Sequence, residues 1–194
     1  MFNITFSKKG AAPGTGVSIH GKNIKLIVGL GNPGGEYKGT YHNVGSMFLD
    51  YLYSVLTGRQ AEKPEWKKEK LFEYVKLGNI ILARPTVYMN TSGRSVKKLL
   101  LYFKIKPAEI LVLHDDSDIP LGNHKISYAR GSAGHYGIES ITKSIGTNEY
   151  SRLRLGVRYG NEQAGKFVLK KIGKQQLQIL EKLFDEIKTS YFEV

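Results

Sequence analysis

Read for runs and alternations of apolar residues, the chain first becomes regular at Leu26-Ile27-Val28, an apolar run that stops in a cluster of Gly and Pro, GLGNPGG. A short run bounded by turn residues predicts a buried strand. Gly29, Gly31, Gly34 and Gly35 then let the backbone turn sharply, which leaves Asn32 and His42 to stand at the mouth of a sheet. From Val44 the spacing becomes helical: Val44, Met47, Phe48, Tyr51, Leu52 and Val55 share one face, with Asn43 as N-cap and Gly58 as the stop. Gln60 to Lys70 is a charged connection holding the only Trp, Trp66. Leu71 to Leu77 and Ile80 to Ala83 read as a hairpin about Gly78-Asn79. A polar loop through Asn90 follows, leading into a helix that carries Val96, Leu99, Leu100 and Phe103; taken alone, Asn90 reads as a helix cap. Ile110 to Leu113, Lys125 to Arg130 and Leu153 to Tyr159 are further strands, Ile138 to Ile145 is a short helix ended by Gly146, and Leu177, Leu180, Phe184 and Ile187 mark a last helix. Strands separated by helices predict an α/β fold, a single domain over residues 24–194 with a twisted mixed β-sheet flanked by helices. Residues 1–23 read as an N-terminal extension, an edge strand or flexible arm that opens on the alternation Phe2-Ile4-Phe6.

With 194 residues the chain is the size of one domain. No apolar run reaches the length of a membrane span, and no segment combines a basic face with a large apolar one, so a membrane partner is not expected. The absence of cysteine excludes disulfides and thiolate metal sites and fits a reducing compartment without proving one; a cytoplasmic location is the expectation. Residues 1–23 lack acids, which leaves organellar targeting open, but they have neither Arg nor an apolar stretch with a cleavage site. Charge changes the picture more. Lys and Arg number 29 against 17 Asp and Glu, a net +12 that draws polyanions, with nucleic acid the leading partner.

Three motifs invite a reading that their surroundings oppose. GLGNPG follows a strand as a dinucleotide fingerprint should, with Asp50 about 20 residues on. A helix would have to open inside the glycine run, however, and Pro33-Gly34-Gly35 and Gly39 delay it, while Asp50 falls within the next helix. GVSIHGKN imitates a phosphate-binding loop, yet Asn23 replaces the required Ser or Thr and the loop precedes its strand. His114-Asp115-Asp116-Ser117-Asp118, at the end of a strand, could hold Mg²⁺ or Mn²⁺. One functional Asp beside solvated neighbours is the favoured alternative.

KLIVGLGNPGGEYKGTYHNVG, PTVYMNTSG, HDDSDIPLG, GSAGHYG and RLRLGV together resemble, in order and spacing, the successive signature blocks of bacterial-type peptidyl-tRNA hydrolase over about residues 24 to 190. The resemblance implies a monomeric α/β enzyme, needing no metal or organic cofactor, that hydrolyses the ester joining a peptide to the 3′ end of tRNA and so recycles tRNA from stalled translation. Carried over block by block, it implies His42 as the catalytic base, Asp115 as the acid that orients it, and Asn32 and Asn90 as amides that hold the substrate. Tyr37 and Met89 fall where residues line the site, and His135 where a histidine supports the loop. Tyr136 stands where the family usually has Asn, and Ser127 where it often has a basic residue gripping the tRNA 5′ phosphate. Arg154 matches the other half of that grip, and Lys125, Arg130 and Arg152 join it as candidate phosphate contacts.

The implied chemistry is sound on general grounds. An ester of an RNA hydroxyl is activated enough for a water positioned by one imidazole, with a carboxylate fixing the tautomer and amides meeting the developing charge. The chain has no G-x-S-x-G and no H-E-x-x-H, so neither a serine esterase nor a zinc peptidase is suggested. The alternative is a relative of the same fold that binds RNA without turnover, as splicing-factor relatives do; Tyr136 and Ser127 leave room for it, while His42 and Asp115 argue against it.

Overall fold

An apolar run that does not alternate must be covered on both faces, and Leu26–Gly29 is buried at all four positions. The computed structural model describes residues 5–6, 24–58, 62–160 and 167–193. In chain order its elements are β1 (Thr5–Phe6), β2 (Leu26–Gly29), α1 (Val44–Thr57), β3 (Lys67–Lys68), β4 (Phe72–Leu77), β5 (Ile80–Pro85), α2 (Ser92–Phe103), β6 (Ile110–Pro120), β7 (His124–Tyr128), α3 (Tyr136–Ile145), β8 (Ser151–Arg158), α4 (Lys174–Tyr191) and β9 (Phe192–Glu193). Seven strands form one mixed sheet in the order β3-β4-β5-β2-β6-β8-β7. The four central strands β5, β2, β6 and β8 are parallel, and antiparallel strands close both edges.

Strand parity divides the core into two layers. Ile27, Leu111, Leu113, Leu153 and Leu155 face Phe48 and Leu52 of α1 and Leu180 and Phe184 of α4. Their neighbours Leu26, Val28, Ile110 and Val112 face Val96 and Leu99 of α2 and Ile138 and Ile141 of α3. Each such side chain, fully buried, contributes roughly 1.5–3 kcal/mol. Glycine sets how closely α1 approaches the sheet. A Cβ on Gly45 would overlap the Leu113 carbonyl of β6, and one on Gly29 would lie 2.7 Å from the Leu49 Cβ. The carboxyl ends of β2 and β6 are thereby held against the first turn of α1.

Several local expectations shift. Asn43 precedes α1 as expected, but its side chain makes no cap hydrogen bond. Gly58 ends α1 with φ −59°, so the helix stops there without a left-handed residue. The strand expected at Ile110 to Leu113 continues to Pro120, because β8 pairs beside it as far as Asp116↔Gly156 and, after an irregularity, Pro120↔Arg158. The HDDSD segment is therefore strand, not loop. β7 ends at Tyr128, which leaves Arg130 in the loop beyond it, and α3 starts two residues before Ile138. Of the N-terminal extension, Thr5–Phe6 pairs antiparallel with Phe192–Glu193 outside the main sheet; the expectations for residues 1–4, the alternation from Phe2 among them, and for 7–23 lie outside the described residues.

Candidate active site

Gly29 of β2 lies in register with Leu113 of β6, and two residues further along β6 stands Asp115, 2% exposed. Beyond β2 the chain turns through Gly34, whose φ of 105° suits glycine, and returns in a 3₁₀ turn, Tyr41–Asn43, that carries His42. The late segment 167–172 pins this return: the His42 amide donates to the Val168 carbonyl at 2.7 Å, the Tyr41 amide to Lys170 at 3.3 Å, and the Ile172 amide to Gly39 at 2.9 Å.

His42 Nδ1 thus comes within 3.0 Å of both carboxylate oxygens of Asp115. His135 reaches the same carboxylate from the other side, its Nε2 3.0 Å from Oδ1. His135 is also the N-cap of α3, its Nδ1 accepting the amides of Gly137 at 3.1 Å and Ile138 at 3.3 Å. A ring nitrogen that accepts two N–H bonds carries no proton, so the proton of His135 sits on Nε2 and is donated to Asp115. With Nδ1–H of His42 given to Asp115 as well, Nε2 is the lone pair that His42 offers to the cavity it lines.

Burial alone would raise Asp115, but the electrostatic attraction and hydrogen bonds it receives from His135 and His42 outweigh it and hold the carboxyl far below the usual range. For His42 burial works against the charged ring; the Asp115 charge and hydrogen bond prevail and raise its pKa above the ordinary value. Beneath them lies His114, pushed well below its ordinary value first by burial, then by the nearby His135 ring and the positive charge of Arg152. Its Nδ1 donates to the Asp115 carbonyl at 2.7 Å, so it braces the main chain beside the acid.

Asn32 is fixed from two sides. Its Oδ1 accepts the Met89 amide at 2.7 Å. The Asn43 side chain brackets its main chain, accepting from the Asn32 amide at 2.9 Å and donating to the Asn32 carbonyl at 3.0 Å. This is where the expected cap of α1 is spent. With Oδ1 occupied, the Nδ2–H₂ group of Asn32 is the end left for the cavity it shares with His42, a cleft of about 510 Å³.

Met89, Asn90, Asp115, His135 and Tyr136 line this cleft together with Asn32 and His42. Asn90 is exposed at its edge, whereas Met89 is buried in its wall. Tyr37, expected in the lining, instead packs edge-on against Tyr88 with ring centroids 6.1 Å apart, and it is Tyr88 that lines the cleft. Of the expected phosphate contacts, Lys125 and Arg130 are exposed. Arg154 is ion-paired with Asp116 at 2.7 Å. Arg152 requires correction: it is 2% exposed and its Nη2 donates to the Gly131 carbonyl, so its charge is turned inward. It shares a strand face with Arg154, but it stands in register with buried Ser127 of β7 and reaches into the loop beyond β7 at Gly131, which residue type alone does not reveal. Sequence reasoning also missed Asn43, His114, Tyr88, Val168 and Leu169; a hydrophobic pair at 168–169 next to the charged run Lys170-Lys171 gives no local sign that it returns to His42.

The acids of HDDSD do not converge on a cation. Asp115 takes two imidazole N–H groups, Asp116 binds Arg154 and the Asp118 amide, and Asp118 is exposed. The ligand atoms of His42, Asp115 and His135 lie within 4.8 Å of one another. Because Nε2 of His135 holds a proton, only two of the three have a lone pair to give, fewer than a stable site needs.

The family described as Peptidyl-tRNA hydrolase matches residues 26–193. Among curated relatives, the peptidyl-tRNA hydrolase of Marinobacter nauticus is 37% identical over 170 residues, covering 86% of each chain. That of Lactobacillus johnsonii is 39% identical over 84% of this chain and 88% of its own, and that of Aquifex aeolicus 44% identical over 70% of each. In three dimensions the chain superposes on the crystal structure of peptidyl-tRNA hydrolase from Acinetobacter baumannii with a TM-score of 0.75 and 29% identity, covering 87% of this chain and 86% of that one. A mixed seven-stranded sheet whose inner strand β6 carries an Asp paired with the His of the turn before α1, together with these likenesses along nearly the whole described chain, places the protein in the peptidyl-tRNA hydrolase family.

Proposed function

We propose that this protein hydrolyses the ester between the peptide and the 3′-terminal ribose of peptidyl-tRNA, returning free tRNA and peptide from stalled or aborted translation. The observation that carries this is His42 Nδ1 at 3.0 Å from both oxygens of a buried Asp115, with Asn32 locked beside it in the same cleft. In the reaction, Nε2 of His42 removes a proton from water as the water oxygen bonds to the acyl carbon. The carbonyl oxygen becomes an oxyanion and receives the Nδ2–H of Asn32, with Asn90 at the cleft edge as a second amide for the substrate. The tetrahedral species then expels the ribose oxygen, which takes the proton back from His42, giving a peptide acid and a tRNA hydroxyl. Asp115 stays ionised throughout and stabilises the imidazolium as it forms. His135 acts as a positioning residue, holding Asp115 from the side opposite His42.

The tRNA is proposed to lie along the β7–β8 edge, where Lys125, Arg130 and Arg154 make phosphate contacts that read no base sequence. The chain acts as a cytoplasmic monomer in this reading, since one chain supplies both acid and base and the substrate is a product of translation. Among the described residues no helix is long and apolar enough to cross a membrane. A binding-only relative is not favoured, because the named relatives are hydrolases and the His–Asp pair is intact.

Purified protein incubated with N-acetyl-aminoacyl-tRNA tests the proposal. Wild type is expected to release the acyl group, and His42→Ala to lose activity by about 10²–10⁴-fold while still shifting the tRNA on a gel. Near-normal release by His42→Ala would remove the proposed base.

A further inference from the structure

Among the described residues, seven large hydrophobic side chains are exposed, and three of them, Tyr88 (56%), Tyr136 (67%) and Leu169, line the cleft that holds His42. Single exposed hydrophobics are ordinary; three converging from separate segments of chain on one cavity point to a ligand that covers them. Tyr88 comes from the loop after β5, Tyr136 opens α3, and Leu169 belongs to the segment that holds the His42 main chain. Behind them the wall is Met89 and Val168, whose side chains offer no hydrogen-bond donor and no acceptor stronger than a thioether sulfur.

We propose that this apolar end of the cleft receives the side chain of the amino acid whose carbonyl forms the ester, and that Tyr136 makes the enzyme favour large apolar residues there. The inference rests on the reading of the site as a peptidyl-tRNA hydrolase. The geometry supports a side chain over a nucleotide. Phosphates would meet the carboxylates of Asp115 and Asp116 on the neighbouring wall, and base edges would find no partners on Met89, Val168 or Leu169. Tyr88 is supported as a fixed wall by the edge-on ring of Tyr37 at 6.1 Å. Tyr136 is brought beside the loop of Tyr88 because Gly137 lets α3 close on Met89; a Cβ on Gly137 would lie 2.5 Å from the Met89 sulfur. At the start of α3 this chain therefore presents an exposed ring to the cleft, and the ring rather than its hydroxyl does the sorting.

The test uses one tRNA body charged in turn with N-acetyl-Phe and N-acetyl-Gly, so that only the side chain differs. Wild type is expected to show a kcat/KM for Phe about tenfold above that for Gly, as apolar pockets discriminate. Tyr136→Phe should keep the ratio, and Tyr136→Asn should bring it close to one. Leu169→Ser, on a different segment, should lower it as well, and thermal melts of each variant report folding. A wild-type ratio near one, or a ratio unmoved in Tyr136→Asn and Leu169→Ser, overturns the proposal. If Tyr136→Asn lowers both substrates equally, the ring touches what they share, the RNA end, and the proposal again fails. Release of neither substrate by wild type instead removes the hydrolase reading itself, and the inference with it.

Discussion

Asn43 shows how far a residue's role can depart from its local pattern. Its place before a helix reads as a cap, yet both ends of its amide are spent on the main chain of Asn32, eleven residues earlier. Capping value is about 1 kcal/mol, and two hydrogen bonds to a half-buried turn recover as much while fixing the amide that lines the cleft. Asn32→Ala should therefore lower kcat by about 10²–10³-fold, as loss of an oxyanion donor does. Asn43→Ala should lower kcat about tenfold with KM little changed, because the donor remains but is no longer held. Steady-state kinetics on N-acetyl-aminoacyl-tRNA check both, and equal losses in the two variants would mean Asn43 does more than position. His42 and Asp115 were legible because their blocks read as a family pattern; the bracing by Asn43, His114 and the caps of α3 was not, since it depends on which backbone atoms lie near in space.

Strand β6 carries acid chemistry at positions that continue a core alternation: Leu111 and Leu113 face α1, and Asp115 follows in phase. The sequence predicted the strand's start from its apolar run but not its length, because polar residues in a strand are recognisable only once β8 is seen to pair with them. The approach of α1 to this strand sets where the His42 turn can sit. Gly45→Ala, on the helix side, should push α1 off Leu113 and cost roughly 1–3 kcal/mol as overpacking does, with activity falling alongside Tm. A Gly45→Ala protein that is less stable but fully active would uncouple helix from site. Edge strand β7 and the loop that follows it hold the other element-scale expectation. Lys125→Ala and Arg130→Ala should each weaken tRNA binding and reduce the slope of log K against log salt by about 1, measured by filter binding across salt concentrations. An unchanged slope removes that residue from the RNA contact.

For the molecule as a whole, pH links chemistry to stability through the buried cluster. The base must be neutral, and its pKa is raised, so kcat/KM is expected to fall as pH drops through a value above about 6.5. Asp115→Asn removes the cause of the raising, and the acid limb of the profile should move to lower pH together with a loss of rate. The depressed Asp115 stabilises the fold above its ordinary value of about 3.9, and that contribution is lost as pH falls below it; His42, raised, stabilises fully below about 6.5 and loses this as pH rises through its folded pKa. Denaturation of wild type and Asp115→Asn at pH 5 and pH 3 should show a smaller acid loss in the variant. The net charge of +12 spoke for a polyanion partner from composition, but only the fold separates exposed Lys125 and Arg130 from Arg152, which is interior. The stitching of Gly39, Tyr41 and His42 to the stretch 167–172 has a consequence for biosynthesis. A ribosome delivers His42, Asp115 and His135 before it adds the carbonyl that accepts the His42 amide, so a chain cut off after Arg158 would carry all three side chains without the backbone partners that Tyr41 and His42 find in the stretch 167–172.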